Sequence, residues 1–393
     1  MGHSMRTKSV STTINDPYRA ALFLGQSLSE IDPEVVFLFT TVHYDDWTEF
    51  MNGLHDGLDQ PGVRIIGASG DGIHERSRTA DVGAAALGVS SQGAVQWHVE
   101  IGDRVGADPE GAVRRALAKL ALRLDGRKPA FYFLLSDFDT DASRIETVIR
   151  DEVDVPVIGG MAADDNDKMA QCCLFADRAM VRDAVVMLAV DGPLAFQIHI
   201  GNSIAPVGLP GTVDDAEGKI LKRVGGLDAA AFVEQETGKP FLRSDQGSVA
   251  LTILNAGRAG EKKLRAIAQN SRPQSVELSL HGGIQRGESV QVCLARPEEL
   301  MAEVHTIAAR AAASGFAPTA AIVISCAGRK WLLGGEIQFE VQAIEDAFGG
   351  TLPIAGFPSF GEIGPLLHDG HYTRNLFHNM TYVLLILGHC DGG

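Results

Sequence analysis

The chain lacks several features that would fix its setting at once. Its 393 residues hold no apolar run approaching the roughly 20 residues that a membrane-spanning helix needs. The opening Met-Gly-His-Ser-Met-Arg-Thr-Lys-Ser-Val has no apolar core of the kind a secretory signal carries, and Met5 reads as the original start behind a cloning scar. Cysteine is scarce, with five residues at 172, 173, 293, 326 and 390, no framework spacing and no Cys-x-x-Cys-His motif. That set excludes a disulfide-stapled domain and covalently attached haem, and it points to a reducing, cytoplasmic compartment. Positive charge is short as well. Lys plus Arg number 34 against 50 Asp plus Glu, a net of -16, which repels phosphate backbones and anionic lipid. Neither nucleic acid nor a membrane is expected as a partner, and the acidity reads as a solvated, soluble surface.

What the chain has instead is glycine, 44 residues of it, which suits many tight strand-to-loop transitions. Hydrophobic residues at 45% and charged residues at 21% describe a globular protein, and the length favours two domains. The most informative stretch is Leu352-Pro353-Ile354-Ala355-Gly356-Phe357-Pro358-Ser359-Phe360-Gly361-Glu362-Ile363-Gly364-Pro365, an apolar run that passes into a glycine- and proline-rich loop. Loops at the ends of buried strands are where α/β proteins place their ligands. The pattern occurs twice upstream, at Val63-Arg64-Ile65-Ile66-Gly67 running into residues 68–75 and at Val155-Pro156-Val157-Ile158-Gly159 running into residues 160–167. Three copies of one unit are expected.

Periodicity fills in the units. Residues 1–16 are polar and aperiodic, so no order is expected there. Helices are predicted over 17–28, 45–58, 109–124, 142–150, 297–313 and 339–348, and continuous apolar strands over 35–41, 130–136 and 320–325. Antiparallel strands are expected after each glycine loop, near 82–89, 95–101, 184–190, 195–200 and 381–387. The fold class is therefore mixed α/β, with helix-strand-helix-strand-glycine-loop units and antiparallel extensions. The Gly225-Gly226 pair and the run to Pro240 mark the expected boundary. This gives an extension and leading helix over 1–32, a first domain over 33–225 and a second over 226–393.

These loops together resemble the FIST family of intracellular sensory proteins. Val157-Ile158-Gly159-Gly160-Met161-Ala162-Ala163-Asp164-Asp165 is similar to the signature of its N-terminal domain, as is Pro206-Val207-Gly208 followed by Gly218. Gly238-Lys239-Pro240 is similar to the segment joining its two domains. Ser325-Cys326-Ala327-Gly328-Arg329, Gly361-Glu362-Ile363-Gly364-Pro365 and His378-Asn379-Met380-Thr381 resemble its C-terminal domain. The chain departs from the pattern at Asn202-Ser203-Ile204, where a small-residue and aromatic pair is more usual. The resemblance implies small-ligand sensing together with signalling proteins. It implies, first, the branch of nitric-oxide-sensing haemoproteins (NosP) that control partner histidine kinases, with non-covalent haem b. Its second implication is a sensor of amino acids or related metabolites without haem.

Several residues are candidates for the chemistry. Among the 12 His, His199 in an apolar strand and His378 in the family-like motif are the candidate haem ligands, although no spacing marks them. Arg329 and Glu362, both at strand ends of one repeat, suit an amino-acid-sized ligand: a guanidinium holds a carboxylate and a carboxylate holds an amine. Equally, the two are readable as an ion pair. Cys326 beside Arg329 raises a thiol-enzyme alternative with His378, against a buried Cys that merely packs. No third orienting group is evident, so a sensor is preferred to an enzyme. Gly160, Asp164 and Gly356 belong to the expected ligand loops, where an acid more often caps a turn than binds a cation, and no metal is predicted.

Overall fold

The alternation within the apolar strands dictates the layers. Along Val35–Thr40 the odd positions Phe37 and Phe39 enter one core, while Val36 and Leu38 enter another on the opposite face. Phe131–Ser136 splits the same way, Phe133 and Leu135 against Leu134, and Pro318–Cys326 sets Ile322 and Ile324 against Val323. A strand buried on both faces needs apolar residues throughout, which is why these runs are continuous. In the computed structural model, which describes residues 5–76, 78–164, 171–201, 204–240, 248–255, 261–268 and 276–390, the inner faces of three six-stranded sheets share one core. Phe37 meets Phe133 edge-on at 5.3 Å between centroids, and Phe39 stacks on Phe357 at 4.9 Å, so aromatic contacts tie the sheets together. The helices cover the outer faces.

The expected repeat is real. Each unit runs leading strand, helix, strand, helix, strand, hairpin, return strand. The first unit comprises Arg6–Thr12, Pro17–Ser29, Val35–Thr40, Trp47–Leu58, Arg64–Ser69, the hairpin Ile73–Glu75 with Arg78–Ala80, and Ala84–Ser90. The second comprises Gln96–Asp103, Pro109–Leu124, Phe131–Ser136, Ala142–Asp151, Val157–Met161, the hairpin Leu174–Ala176 with Ala179–Val181, and Ala184–Asp191. The third comprises Leu194–Gly201, Pro297–Ala313, Pro318–Cys326, Ala327–Leu333 with Phe339–Ala347, Ile354–Ser359, the hairpin Glu362–His368 with His371–His378, and Tyr382–Cys390. Helix starts are written in the sequence: Asp16, Asp46, Asp108 and Asp141 each accept a hydrogen bond from a backbone N–H of the first turn. Between Leu194–Gly201 and Pro297–Ala313 sits an inserted β-module, residues 204–295, with its own core around Val213, Leu221, Phe232 and Val292. The module is fastened to the second unit by Lys263 and Arg265, which donate to the buried Glu146 at 2.9 and 3.2 Å.

Within each of the three six-stranded sheets the two central strands are parallel and the rest antiparallel, and two strands at one end come from another unit. Gly67 of the first unit lies opposite Phe175 of the second, Gly160 of the second opposite Glu362 of the third, and Gly356 of the third opposite His74 of the first. The hairpins are thus exchanged in a closed cycle. The recurring glycine has a steric cause. A Cβ on Gly67, Gly159 or Gly356 would strike the backbone carbonyl of Leu38, Leu134 or Val323 in the neighbouring parallel strand.

Five segments differ from expectation. Residues 6–12 are a strand rather than disordered, because Ala84–Ser90 supplies antiparallel pairing that a polar, aperiodic edge cannot advertise. Ala205–Glu217 pairs as a strand through the Pro/Gly-rich stretch, with a register irregularity between Val207 and Gly211. Ala229–Thr237 is a helix where boundary loop was expected, and Ala327–Leu333 is a helix where strand passes to loop. Glu362–His368 is a strand carried into the second unit's sheet. The 225/226 boundary falls at the turn between Ile220–Val224 and Leu227–Asp228. The departure at Asn202-Ser203 and the acids and amide at 165–167 lie outside the described residues.

Gly356→Ala is expected to lower the unfolding free energy by about 3 kcal/mol through overpacking against a carbonyl that cannot move aside. Gly335→Ala, where nothing lies within 4 Å, serves as the control in the same denaturant titration. Equal costs for the two would contradict the steric account.

Candidate functional site

The three glycine loops do converge. Ala163 N–H donates to the Ser69 carbonyl at 2.8 Å, and the Ser69 hydroxyl donates to the Ala163 carbonyl at 2.7 Å, joining the first and second units. Met161 N–H donates to Gly361 O at 2.7 Å, joining the second and third, and Asp71 N–H donates to Pro358 O at 3.0 Å, closing the ring. The ring lies at the C-terminal ends of the parallel strands, the side on which α/β sheets collect their ligands. Gly160 and Gly356 serve it as strand residues, where added side chains would meet Gly361 and Val323 respectively. Asp164 is buried, and its Oδ2 accepts from the backbone N–H of Gln171.

Arg329 and Glu362 are both fully buried, and each has its own partners. Arg329 Nε–H donates to Glu340 at 2.7 Å, one terminal nitrogen donates to Glu303 at 3.1 Å, and the other donates to the Leu300 carbonyl at 3.2 Å. The guanidinium also lies over the Tyr382 ring, 5.7 Å from its centroid. Glu362 accepts from the hydroxyls of Ser359 and Thr381, each at 2.6 Å, and from the Thr381 N–H at 3.1 Å. Burial pushes its pKa up to about 7 despite those donors. Cys326 sits within electrostatic reach of both. Burial first, and the Glu362 charge second, raise its thiol well above the ordinary range, outweighing the opposite pull of Arg329. The cation beside Cys326 therefore does not make a reactive thiolate, because desolvation is the larger effect.

Both candidate haem ligands are buried. His378 is fully enclosed, with Nε2 against the Gly364 carbonyl at 3.2 Å, and burial lowers its pKa to about 3. His199 has Nε2 against Gln197 Oε1 at 3.2 Å, and burial lowers its pKa to about 4. Haem needs an imidazole facing an open apolar slot. Neither ring is among the lining residues of the cavities around Arg374, Trp97, Trp331 or Arg123, and each ring already sets Nε2 against a protein oxygen.

The largest of those cavities, about 770 Å³, opens beside the glycine ring. Its walls are Asp71 and Asp81 from the first unit, and Lys330, Trp331, Ile337 and Gln338 from the third. Lys330 Nζ donates to the Asp71 carbonyl at 2.7 Å and to Asp71 Oδ1 at 3.1 Å, and it pairs with Asp81 Oδ1 at 2.9 Å. The Trp331 indole N–H donates to Asp71 Oδ2 at 2.7 Å, yet the residue stays 48% exposed. Phe360 and Phe138 continue an aromatic line from it, with centroids 6.4 and 5.3 Å apart. The sequence reading passed over Lys330, Trp331 and Asp81. The signal for the first two was adjacency, since they directly follow Arg329, but the pattern did not reveal a helix there.

Comparison with known proteins agrees with this architecture. The FIST N domain profile matches residues 34–227 and the FIST C domain profile residues 219–365. The chain belongs to the FIST family. FIST domains are small-ligand sensing domains of signal transduction. An uncharacterized protein of Mycobacterium tuberculosis is 25% identical over 248 residues, spanning 60% of this chain and 62% of its own length. One from Mycobacterium bovis is 24% identical over 272 residues, 66% of this chain and 68% of its own. A third, from Methanocaldococcus jannaschii, is 33% identical over 100 residues, 25% of this chain and 19% of its own length. The PurLQS structure from Thermotoga maritima aligns over 99% of this chain and 73% of that one, at 13% identity and a TM-score of 0.23, short of a common fold.

The FIST repeat also exposes an oddity. His74 occupies the place taken by Phe175 opposite Gly67 and by Ile363 opposite Gly159. It is fully buried, neither nitrogen has a hydrogen-bond partner among the described residues, and burial followed by Lys330 lowers its pKa to about 3.

Two opposed pH effects follow. Glu362 binds its proton more tightly folded than unfolded, so its contribution is full below its ordinary pKa of 4.5 and is lost as pH rises through about 7. Glu362→Gln should flatten that fall and raise stability at pH 8 by roughly 3 kcal/mol. His74 is held neutral, so its contribution is present above 6.5 and is lost towards about 3. His74→Phe should add stability at pH 5 more than at pH 7.5. Denaturant titrations at these pH values check both, and parallel pH profiles for wild type and variants would refute the assignments.

Proposed function

We propose that this FIST protein is a cytoplasmic sensor that seats a small metabolite in the cavity between Asp71 and Trp331 and passes its state to a separate signalling protein. The observation that carries this reading is the cavity's position. A ligand there touches the first unit's glycine loop and the third unit's helix Ala327–Leu333 at once, beside the ring where all three sheets meet. The same helix bears Arg329, whose buried pairs with Glu340 and Glu303 tie it to the flanking helices, so a shift in it is felt beyond the cavity. The partner to test first is a histidine kinase, through which a chain of this kind signals in the resembled branch. Binding is favoured over catalysis because the Cys326 thiol is held protonated and Glu362 opposes its ionisation.

Haem b with nitric oxide is the second reading, and the unpartnered Nδ1 of His378 is what favours it. The enclosure of that ring weighs against it, and the metabolite reading is preferred.

Trp331 makes the preferred reading measurable. A metabolite that raises the melting temperature should also change Trp331 emission, since Trp97 is buried and only three tryptophans contribute. Trp331→Ala should abolish the shift while leaving the fold intact. A ligand-induced shift untouched by Trp331→Ala would place binding elsewhere. Purified protein supplied with haem is expected to give no stoichiometric Soret band, and a stoichiometric band that moves with nitric oxide would reinstate the second reading.

A further inference from the structure

The cavity already holds an ammonium group, the protein's own. Lys330 Nζ is met by three oxygens, the Asp71 carbonyl at 2.7 Å, Asp71 Oδ1 at 3.1 Å and Asp81 Oδ1 at 2.9 Å, which matches the three donors of an alkylammonium. Lys330 is the only basic side chain among the described lining residues, facing two carboxylates, so the site carries net negative charge even with its lysine in place. A ligand carboxylate would find no free cation there. An amine would find oxygens already set for it, and beside them the exposed Trp331 indole with Val82 and Ile337. Tryptophan offers the best aromatic face for a cation.

The lysine is also placed to leave. Its four-carbon stem is flexible and its charge is readily hydrated. The helix that carries it stops at Gly334, followed by Gly335, and neither glycine has any atom within 4 Å of where a side chain would begin. Asp81 is 83% exposed on its side chain, so the mouth of the oxygen cage faces water.

From this geometry we infer that the cavity takes an organic cation, a primary amine with an apolar body, which displaces the Lys330 ammonium from Asp71 and Asp81. The inference rests on the cavity being the ligand site and adds the chemical class and the built-in competitor. Exchange conserves the charge at the cage. The affinity gained over Lys330 comes from the indole and apolar walls, and the released lysine signals occupancy to its helix.

Phenethylamine and cadaverine, each set against its carboxylated counterpart, phenylalanine and lysine, test it by calorimetry and Trp331 emission on the full chain. Each amine is expected to bind at least about tenfold more tightly than its counterpart. Lys330→Met, which keeps the apolar stem and removes the competitor, should tighten amine binding about tenfold. Asp81→Asn, at an exposed position that does not carry the fold, should weaken it several-fold. Circular dichroism verifies that each variant is folded. Equal or tighter binding of the amino acids would overturn the ligand class, and unchanged or weaker binding to Lys330→Met would overturn the displacement. If neither amine binds wild type or Lys330→Met while another metabolite still moves Trp331 emission, this inference fails and the site survives. If ligands that stabilise the protein never move Trp331 emission, both fail.

Discussion

The structure depends on one constraint: every central strand pair leaves an edge that its own unit cannot close. An unpaired sheet edge exposes a row of backbone donors and acceptors, which is costly beside a core and hazardous in water. Here each edge is closed by a hairpin from another unit, and three such exchanges return to the start. To leave one sheet and enter the next, the chain must turn sharply, at Gly72 with φ +107° before Ile73–Glu75 and at Gly361 with φ +150° before Glu362–His368. The loops that close the fold are therefore the loops that form the ring. The cavity walled by the first and third units therefore opens beside the place where all three sheets meet.

Approximate threefold repetition builds the scaffold, and departures from it build the chemistry. The first two units carry a single helix between their central strands. The third places the short helix Ala327–Leu333 before Phe339–Ala347, and with it come Arg329, Lys330 and Trp331. The third unit also receives the one exchanged hairpin in which the core position is a histidine, His74, rather than Phe175 or Ile363. Natural chains break local rules mainly where function or strain requires it. Of these residues Lys330 and Trp331 line the cavity, whereas Arg329 and His74 are buried outside its lining.

Buried charge follows a different logic. Arg329 with Glu340 and Glu303, and Arg265 with Lys263 and Glu146, are enclosed pairs whose desolvation cost is offset by hydrogen bonds on nearly every polar edge. The first pins the helix that carries Lys330, and the second pins the inserted module to the second unit. Both sets hold elements that hydrophobic contact alone would let slide. Arg329 reads as a ligand anchor in sequence because it ends a strand motif. In three dimensions its donors already point at protein carboxylates.

Much of the architecture was legible in the letters. Continuous apolar strands such as Phe131–Ser136, the Asp-Pro starts at Asp16 and Asp108, and the glycine within each second strand are local signals, and local signals survive in sequence. They determined the mixed α/β class and the threefold repeat, while the meeting of the three loops is a tertiary result. Pairing between distant segments leaves no such mark. The edge strand Arg6–Thr12, the exchange of hairpins, and the meeting of Asp71 with Lys330 across 259 residues were decided only when the chain closed. So was the state of Cys326 and Glu362, whose protonation follows burial rather than neighbours in sequence. Sequence fixes what each residue is able to do through its own backbone and side chain. Tertiary structure decides which of those abilities is spent on the protein itself and which is left facing the cavity.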